Sequence, residues 1–337
     1  MNAAVRNNAA QRGAVLIMVL WTTVVLTVLV TVLASNVRLS ANTAVYHRQG
    51  AQDFASVMSA MYKAEMELMM ERMPVPAGVI ASSQAVTEYR EPLNRFNGQP
   101  LSLNYPADEN IVVRIYDHAG KININRIQRQ RLQRLIETRL GENFDPVQVQ
   151  ELLAAWSDWT DLNDLPNPGG AENEYYLSLD PPYTARNSPE FDTVEEIRLI
   201  RGFDELFKDV NLDAAFTVYG NGSAVNPNLA TREALLLLPG LDAELVEQII
   251  ALREQQDITS PREIGDIVPL EKMVELSPWL GFNTSSVYSV YAYPRQESDD
   301  STAPDRVTQA YMQIMEVRGF ETRARIYRVH PYAQLPK

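Results

Sequence analysis

Between Trp156 and Tyr183 the chain reads WSDWTDLNDLPNPGGAENEYYLSLDPPY. Asp158, Asp161, Asn163, Asp164, Glu172, Asn173, Glu174 and Asp180 all offer oxygen donors in this stretch. Calcium takes roughly 6–8 oxygen ligands from a flexible loop, and Gly169-Gly170 let the backbone come close enough for a carbonyl to join them. The spacing is not that of an EF-hand, and a solvated, turn-rich loop with Asp and Asn as local caps has the same composition. Residues 151–210 hold 14 acidic and 4 basic side chains, so most of the chain's formal net charge of −13 lies here. A third chemistry is a carboxylate pair for glycoside hydrolysis, with Trp156, Trp159, Tyr175 and Tyr176 stacking a sugar. The same aromatics equally anchor a loop to a small helical core.

Other chemistries have less to build on. The chain has no cysteine, which removes disulfides, thiolate metal sites and a Cys nucleophile. Its three histidines, His47, His118 and His330, show no paired spacing. Neither a Gly-x-Ser-x-Gly elbow nor a P-loop, a His-Glu-x-x-His pair or a Rossmann glycine pattern occurs. The acidic balance, 43 Asp and Glu against 30 Lys and Arg, argues against a chain that neutralises many phosphates.

The elements around the acidic loop are helical. Arg126 to Leu140, Asp145 to Asp158 and Glu195 to Ile200 carry helical periodicity, separated by a loop rich in Pro, Gly and Asn. Lys121-Ile-Asn-Ile-Asn125 before one apolar-periodic segment is echoed by Val225-Asn-Pro-Asn-Leu229 before another. The second copy has helix-hairpin-helix character: Thr231 suits an N-cap, Pro239-Gly240 a hairpin, and Leu245 to Arg253 a second helix. Such units bind DNA backbone through exposed amides, but Asp242 stands where a second turn glycine belongs, with Glu244 and Glu247 nearby, and carboxylates repel phosphate. Strand periodicity flanks this helical stretch. Ile111 to Tyr116 and Lys121 to Asn125 predict a hairpin about Asp117-Gly120, and Val287 to Tyr293, Val307 to Val317 and Glu321 to Val329 predict further strands. Gln296 to Asp305 is polar and acidic and reads as an exposed loop.

At the N-terminus, residues 14–37 contain no charged side chain, and 24 helical residues span about 36 Å, enough to cross a bilayer. The run is too long for the apolar core of a secretory signal. The preceding polar stretch carries Arg6 and Arg12 and no acid, so the positive-inside rule keeps it cytoplasmic. Phe54, Met58, Met61, Ala64 and Leu68 continue the helical period as far as Pro74 and Pro76, so one helix can run from Ala14 to Met73.

Two features resemble a known family. The junction Gln11-Arg12-Gly13 before Ala14-Val-Leu-Ile is similar to a prepilin cleavage motif, cut after Gly on the cytoplasmic side. The position five residues into the mature chain, where prepilins and pseudopilins carry Glu, is here Met18. Its loss resembles the K-type minor pseudopilins of type II secretion, whose subunit has no neighbour ahead of it to pair with a buried carboxylate. The run DWTDLND, GGAENEYY, DPPY and EEIRLIRG is similar to the signature of the helical domain inserted in that family.

The resemblance implies an α+β pseudopilin fold, a long N-terminal transmembrane helix plus antiparallel sheet, with a large mostly helical inserted domain. The expected organisation is a leader at 1–13, a transmembrane and stalk helix at 14–73, a head at 74–125 and 285–337, and the insertion at 126–284. It implies no enzymatic activity, cleavage between Gly13 and Ala14 by prepilin peptidase, and methylation. It places the chain in the bacterial inner membrane, single-pass, with a periplasmic head at the tip of the pseudopilus. Expected partners are the I- and J-type minor pseudopilins, then the H type, the major pseudopilin and the inner-membrane assembly platform, with no nucleic acid. Calcium is carried over to the acidic loop, with Asp161, Asp164, Glu172 and Glu174 as first ligand candidates and Asp158 and Asp180 next. The rival reading is a membrane-tethered helix-hairpin-helix DNA-binding protein of a competence or type IV pilus system.

Overall fold

The computed structural model describes residues 7–73, 95–295 apart from 104, 106 and 142, and 309–336, with side chains from Val15 onward. Pro74, Pro76 and the segment Gln296–Asp305 lie outside the described residues. Gly13 and Ala14 fall in helical backbone, their side chains outside the described set.

Helix α1 runs Asn7–Glu71, beginning upstream of the expected Ala14. The chain divides into two units, the first ending at Ser56 and the second beginning at Val57. From Val15 this is the helix long and apolar enough to cross a membrane among the described residues. Its threonines fit that solvent. Thr22, Thr27 and Thr31 each donate their hydroxyl to a carbonyl three or four residues back, at 2.8–2.9 Å, so these hydroxyls are satisfied within the helix. The first acidic residue in the chain is Asp53.

In the second unit the same helix buries Val57, Ala60, Met61, Ala64 and Leu68 at helical spacing against a sheet. Strands β1 (Asn97–Pro100), β2 (Ile111–Asp117), β5 (Val287–Pro294), β6 (Gln309–Glu316) and β7 (Arg325–Gln334) form this antiparallel sheet in the order β1-β2-β5-β6-β7. Ile111, Val113 and Ile115 of β2 face the helix with Tyr288, Val290 and Ala292 of β5. The alternate residues Val112, Tyr116, Val287, Tyr291 and Tyr293 pack on the other face. Both faces are covered, so β5 lacks the apolar-polar alternation of a half-exposed strand.

The expected hairpin about Asp117-Gly120 is corrected. β2 pairs with β5, 170 or so residues further on, while β3 (Ile122–Asn123) leaves the sheet and pairs in parallel with β4 (Phe216–Thr217). Local turn chemistry suggested a two-strand return. The apolar Ile122 and Ile124 instead enter the core of the helical region.

That region is a duplicated unit. Asn123 Oδ1 accepts from Asn125 N at 3.1 Å, and Asn226 Oδ1 accepts from Asn228 N at 3.0 Å. The second asparagine of each pair then clamps a distant backbone in both directions. Asn125 Oδ1 accepts from Phe191 N at 2.7 Å and its amide donates to Phe191 O at 3.1 Å; Asn228 does the same to Ile258, at 2.9 and 2.8 Å. Each unit then makes two helices, α2 (Arg129–Leu140) and α3 (Pro146–Thr160) in the first, α7 (Arg232–Leu236) and α8 (Ala243–Gln255) in the second. The second helix is N-capped by Asp in both, Asp145 to Val147 N and Asp242 to Leu245 N. A capping glutamate follows each clamp: Glu196 accepts from Thr193 N, and Glu263 from Thr259 N. Short helices α4 (Asn173–Leu177), α5 (Phe203–Leu206), α6 (Leu212–Ala215), α9 (Pro261–Ile264) and α10 (Leu270–Leu276) complete the region. Between the second helix and the clamp the second unit needs only Gln256 and Asp257. The first has Asp161 to Glu190, which is the acidic loop.

The helical region meets the sheet through a buried polar seam. His118 Nδ1 bonds Thr217 Oγ1 at 2.7 Å and Nε2 bonds Ser289 Oγ at 2.8 Å, while Lys121 Nζ donates to Asp213 O at 2.7 Å. Burial, with the nearby Lys121 charge, holds the His118 imidazole well below its ordinary 6.5. Its unfolded form takes up a proton near pH 6.5 that the native form refuses, so this group's contribution to stability is lost as pH falls below 6.5. The urea-unfolding free energy of wild type should therefore fall relative to His118→Gln between pH 7.5 and 5.5, by up to about 1.4 kcal/mol per pH unit. Parallel pH dependence in the two proteins would contradict a neutral native His118.

Candidate metal centre

Asp158 stands in the last turn of α3, whose other face is fixed in the core by Leu152, Leu153, Ala155 and Trp159. Placed there the carboxylate is fully buried, and it accepts from Asn167 N at 3.1 Å and from the Asn167 side-chain amide. Asp161 caps the C-terminus of α3 and turns the chain outward, its Oδ1 accepting from Asn163 N at 3.0 Å. The loop returns through Gly169, which has a φ of +78°, and Gly170. A Cβ at Gly170 would lie 1.9 Å from Asp158 Oδ2, so only glycine admits the carboxylate there. Arg201 pins this turn, donating to Gly170 O at 2.9 Å and Gly169 O at 2.6 Å.

The return brings Glu172 beneath the loop as the N-cap residue of α4, with Trp159, Tyr176 and Tyr183 packed in mutual ring contact alongside. Glu172 is 3% exposed and neither carboxylate oxygen has a hydrogen-bond partner. Desolvation first, then the charges of Asp158, Asp161 and Asp164, push its pKa up to about 7. A buried carboxylate facing other carboxylates favours a bound proton or a cation.

Ligand oxygens of Asp158, Asp161 and Glu172 lie within 4.8 Å of one another. Oxygens each 2.3–2.6 Å from one calcium ion are at most about 5 Å apart, and an all-oxygen set selects a hard cation over zinc or copper. These three residues fit the ion the sequence suggested. Asp164 stands close enough to act on Glu172 through its charge, and its Oδ1 accepts from Asn173 N at 3.3 Å. Glu174 and Asp180 are exposed and outside the cluster. Two supporting residues escaped sequence reasoning. Asn167, the partner of Asp158, sits in a Pro-Asn-Pro stretch that reads as plain turn chemistry, and Arg201 lies 31 and 32 residues downstream of the glycines it holds.

In the helix-hairpin-helix turn of the second unit, Asp242 caps α8 and is paired with Lys272 at 2.9 Å. The position a phosphate needs is taken by a carboxylate, and the nearby cation is engaged.

An apolar helix that continues into an antiparallel sheet, with a helical insertion carrying an acidic centre, defines an α+β protein of the pseudopilin fold. A chain of the GspK-GspI-GspJ complex from enterotoxigenic Escherichia coli has this fold, with a TM-score of 0.50 at 14% identity over 86% of this chain and 98% of that one. Residues 95–210 match the family described as Type II secretion system (T2SS), protein K. The type II secretion system protein K of Klebsiella pneumoniae is 29% identical over 166 residues, which cover 47% of this chain and 51% of that protein. Its namesake from Pectobacterium carotovorum is 34% identical over 71 residues, 21% of each chain. The chain thus matches about half the length of the first of these relatives. What it shares with the type II secretion protein K family is the stretch 95–210 that the family model matches.

Proposed function

We propose that this chain is a minor pseudopilin at the tip of the type II secretion pseudopilus, anchored in the inner membrane with its head in the periplasm. The observation that carries this reading is α1: an apolar helix free of acidic side chains as far as Asp53, with Met18 in the place of the usual glutamate, leading into a head enlarged by the duplicated helical region. A fibre subunit with a partner ahead of it gains from a buried carboxylate paired to that neighbour's N-terminus, and a terminal subunit gains from losing it. The helix packs laterally with those of the I- and J-type minor pseudopilins, then the H type. The insertion blocks addition above, and major pseudopilin adds below on the assembly platform. Assembly supplies the export of folded proteins, and no step requires catalysis by the head. In this account calcium, held by Asp158, Asp161 and Glu172, neutralises the acidic centre and fixes the long loop to α3.

Processing gives the direct test. Gly13→Ala should leave an uncleaved precursor in cells containing prepilin peptidase, and secreted proteins should accumulate in the periplasm. Mature-size protein in that variant would count against prepilin processing.

A further inference from the structure

Between β4 and the second Asn-x-Asn segment, the linker of the two duplicated units carries Gly220-Asn221-Gly222. The linker is held at both ends. Asn123 donates its amide to Tyr219 O and Gly220 O, both at 3.0 Å, Arg131 donates to Ser223 O at 2.6 Å, and Val225 N donates to Trp279 O at 2.8 Å. Between these anchors Asn221 and Gly222 are exposed. Among the described residues neither the Asn221 side chain nor the Gly222 N–H has a hydrogen-bond partner, so both are left to water. Gly220 has a φ of +83°, and a Cβ at either glycine would meet nothing within 4 Å, so the chain is uncrowded on both sides of Asn221.

An asparagine followed by glycine places an electrophile beside a nucleophile: the side-chain carbonyl carbon and the next backbone nitrogen. Ring closure between them needs a nitrogen free of hydrogen bonds, no bulky side chain on the following residue, and a backbone with room to rotate. Asn221 meets all of these conditions. We propose that Asn221 is a site of spontaneous deamidation. Gly222 N loses its proton to hydroxide and bonds to Cγ of Asn221, while the side-chain nitrogen takes a proton from water and leaves as ammonia. The resulting succinimide adds water at either carbonyl and opens to aspartate or isoaspartate, with no oxidant, reductant or enzyme taking part. The product carries a new negative charge. Its isoaspartyl form routes the main chain through the side-chain carbon, which lengthens the linker by a methylene between the Asn123 and Arg131 anchors.

The chain has a second Asn-Gly pair, Asn97-Gly98, and there the fold closes the reaction off. Both residues lie in β1, which pairs with β2. Asn97 is 9% exposed and its Oδ1 accepts from Gln99 N at 3.2 Å. Gly98 is packed so closely on Tyr116 that a Cβ would lie 2.1 Å from the ring. Ring closure at Asn97 therefore requires β1 to leave the sheet, whereas at Asn221 it requires no anchor to open.

The test is peptide mass mapping of the full chain in detergent, aged at pH 8.5 and at pH 6. The peptide containing Asn221 should gain the mass difference between an amide and a carboxylate and split into aspartyl and isoaspartyl forms, faster at pH 8.5 because the attacking nitrogen must lose its proton. It should convert about tenfold faster than the peptide containing Asn97, where a hydrogen bond and a buried ring contact must first be broken. Gly222→Ala should slow the conversion by about tenfold, since its methyl group crowds the nitrogen, and should leave the melting temperature unchanged. In urea, with the fold removed, the two Asn-Gly pairs should convert at similar rates. No conversion at Asn221, equal rates at Asn97 and Asn221 in the native chain, a difference that persists in urea, or a rate that Gly222→Ala leaves unaltered overturns the proposal. The reaction is read on the isolated protein and is independent of the role in secretion.

Discussion

Calcium at a hundredfold excess over its dissociation constant should raise the melting temperature of the head, in the full chain in detergent, by about 5–10 °C at pH 7.5, and chelator should reverse the shift. The linkage at that excess contributes about 2.7 kcal/mol, and each kcal/mol moves the midpoint by about 2–4 °C in a domain of this size. The shift arises because Glu172 is buried, unpartnered and surrounded by like charge, so a cation relieves a cost the metal-free protein carries. Glu172→Gln and Asp158→Asn should each abolish the response. The metal-free protein should also show a pH signature. With Glu172 raised from 4.5 to about 7, the native state keeps a proton that the unfolded state has released, so stability falls as pH rises from 4.5 through 7. Calcium should remove that slope. An unchanged melting curve with calcium and with chelator would exclude a metal at this centre.

Gly120→Ala should have the largest effect of any single methyl group outside that site. Its Cβ would lie 2.1 Å from Leu229 O and 2.4 Å from Leu229 C, and both are backbone atoms of the second Asn-x-Asn segment. Neither can rotate away. The adjacent Ala119 O already accepts from Asn226 N at 2.7 Å, so relief of the clash separates the two duplicated units where they meet the sheet. Overpacking of this kind costs about 1–3 kcal/mol and more where backbone must move, so a fall of roughly 10 °C in melting temperature is expected. Gly222→Ala, with nothing within 4 Å of its Cβ, is the matched control and should change little. Equal melting temperatures for the two variants would contradict this packing.

Much of the architecture is readable from local pattern because its cause is local. Helical spacing carries α1, α2, α3 and α8, and strand periodicity carries β2, β5 and β6. The turn at Asp117-Gly120 misled because Asp117 is a good local cap, to Ala119 N at 2.8 Å, whichever way the chain goes next. What sends Ile122 away from the sheet is its pairing with Phe216, and a parallel partner nearly a hundred residues away leaves no trace in a short window. The echo of Asn-x-Asn was visible. Its purpose was not, since the carbonyls clamped by Asn125 and Asn228 lie 66 and 30 residues downstream.

The acidic loop divides in the same way. Composition points to oxygen chemistry, but choosing among its carboxylates requires knowing which face of α3 and which end of α4 turn inward. Asp158 and Glu172 are selected by burial against Trp159 and Tyr176, whereas Glu174, two residues from Glu172, faces solvent. Asp180 lies past α4 and is also exposed.

The central claim concerns assembly, and co-purification tests it most directly. The full chain, extracted from membranes of cells that also make the I- and J-type minor pseudopilins, should elute with both in one complex of fixed stoichiometry. Elution of the processed chain alone, with the I and J subunits together in a separate peak, would contradict the account.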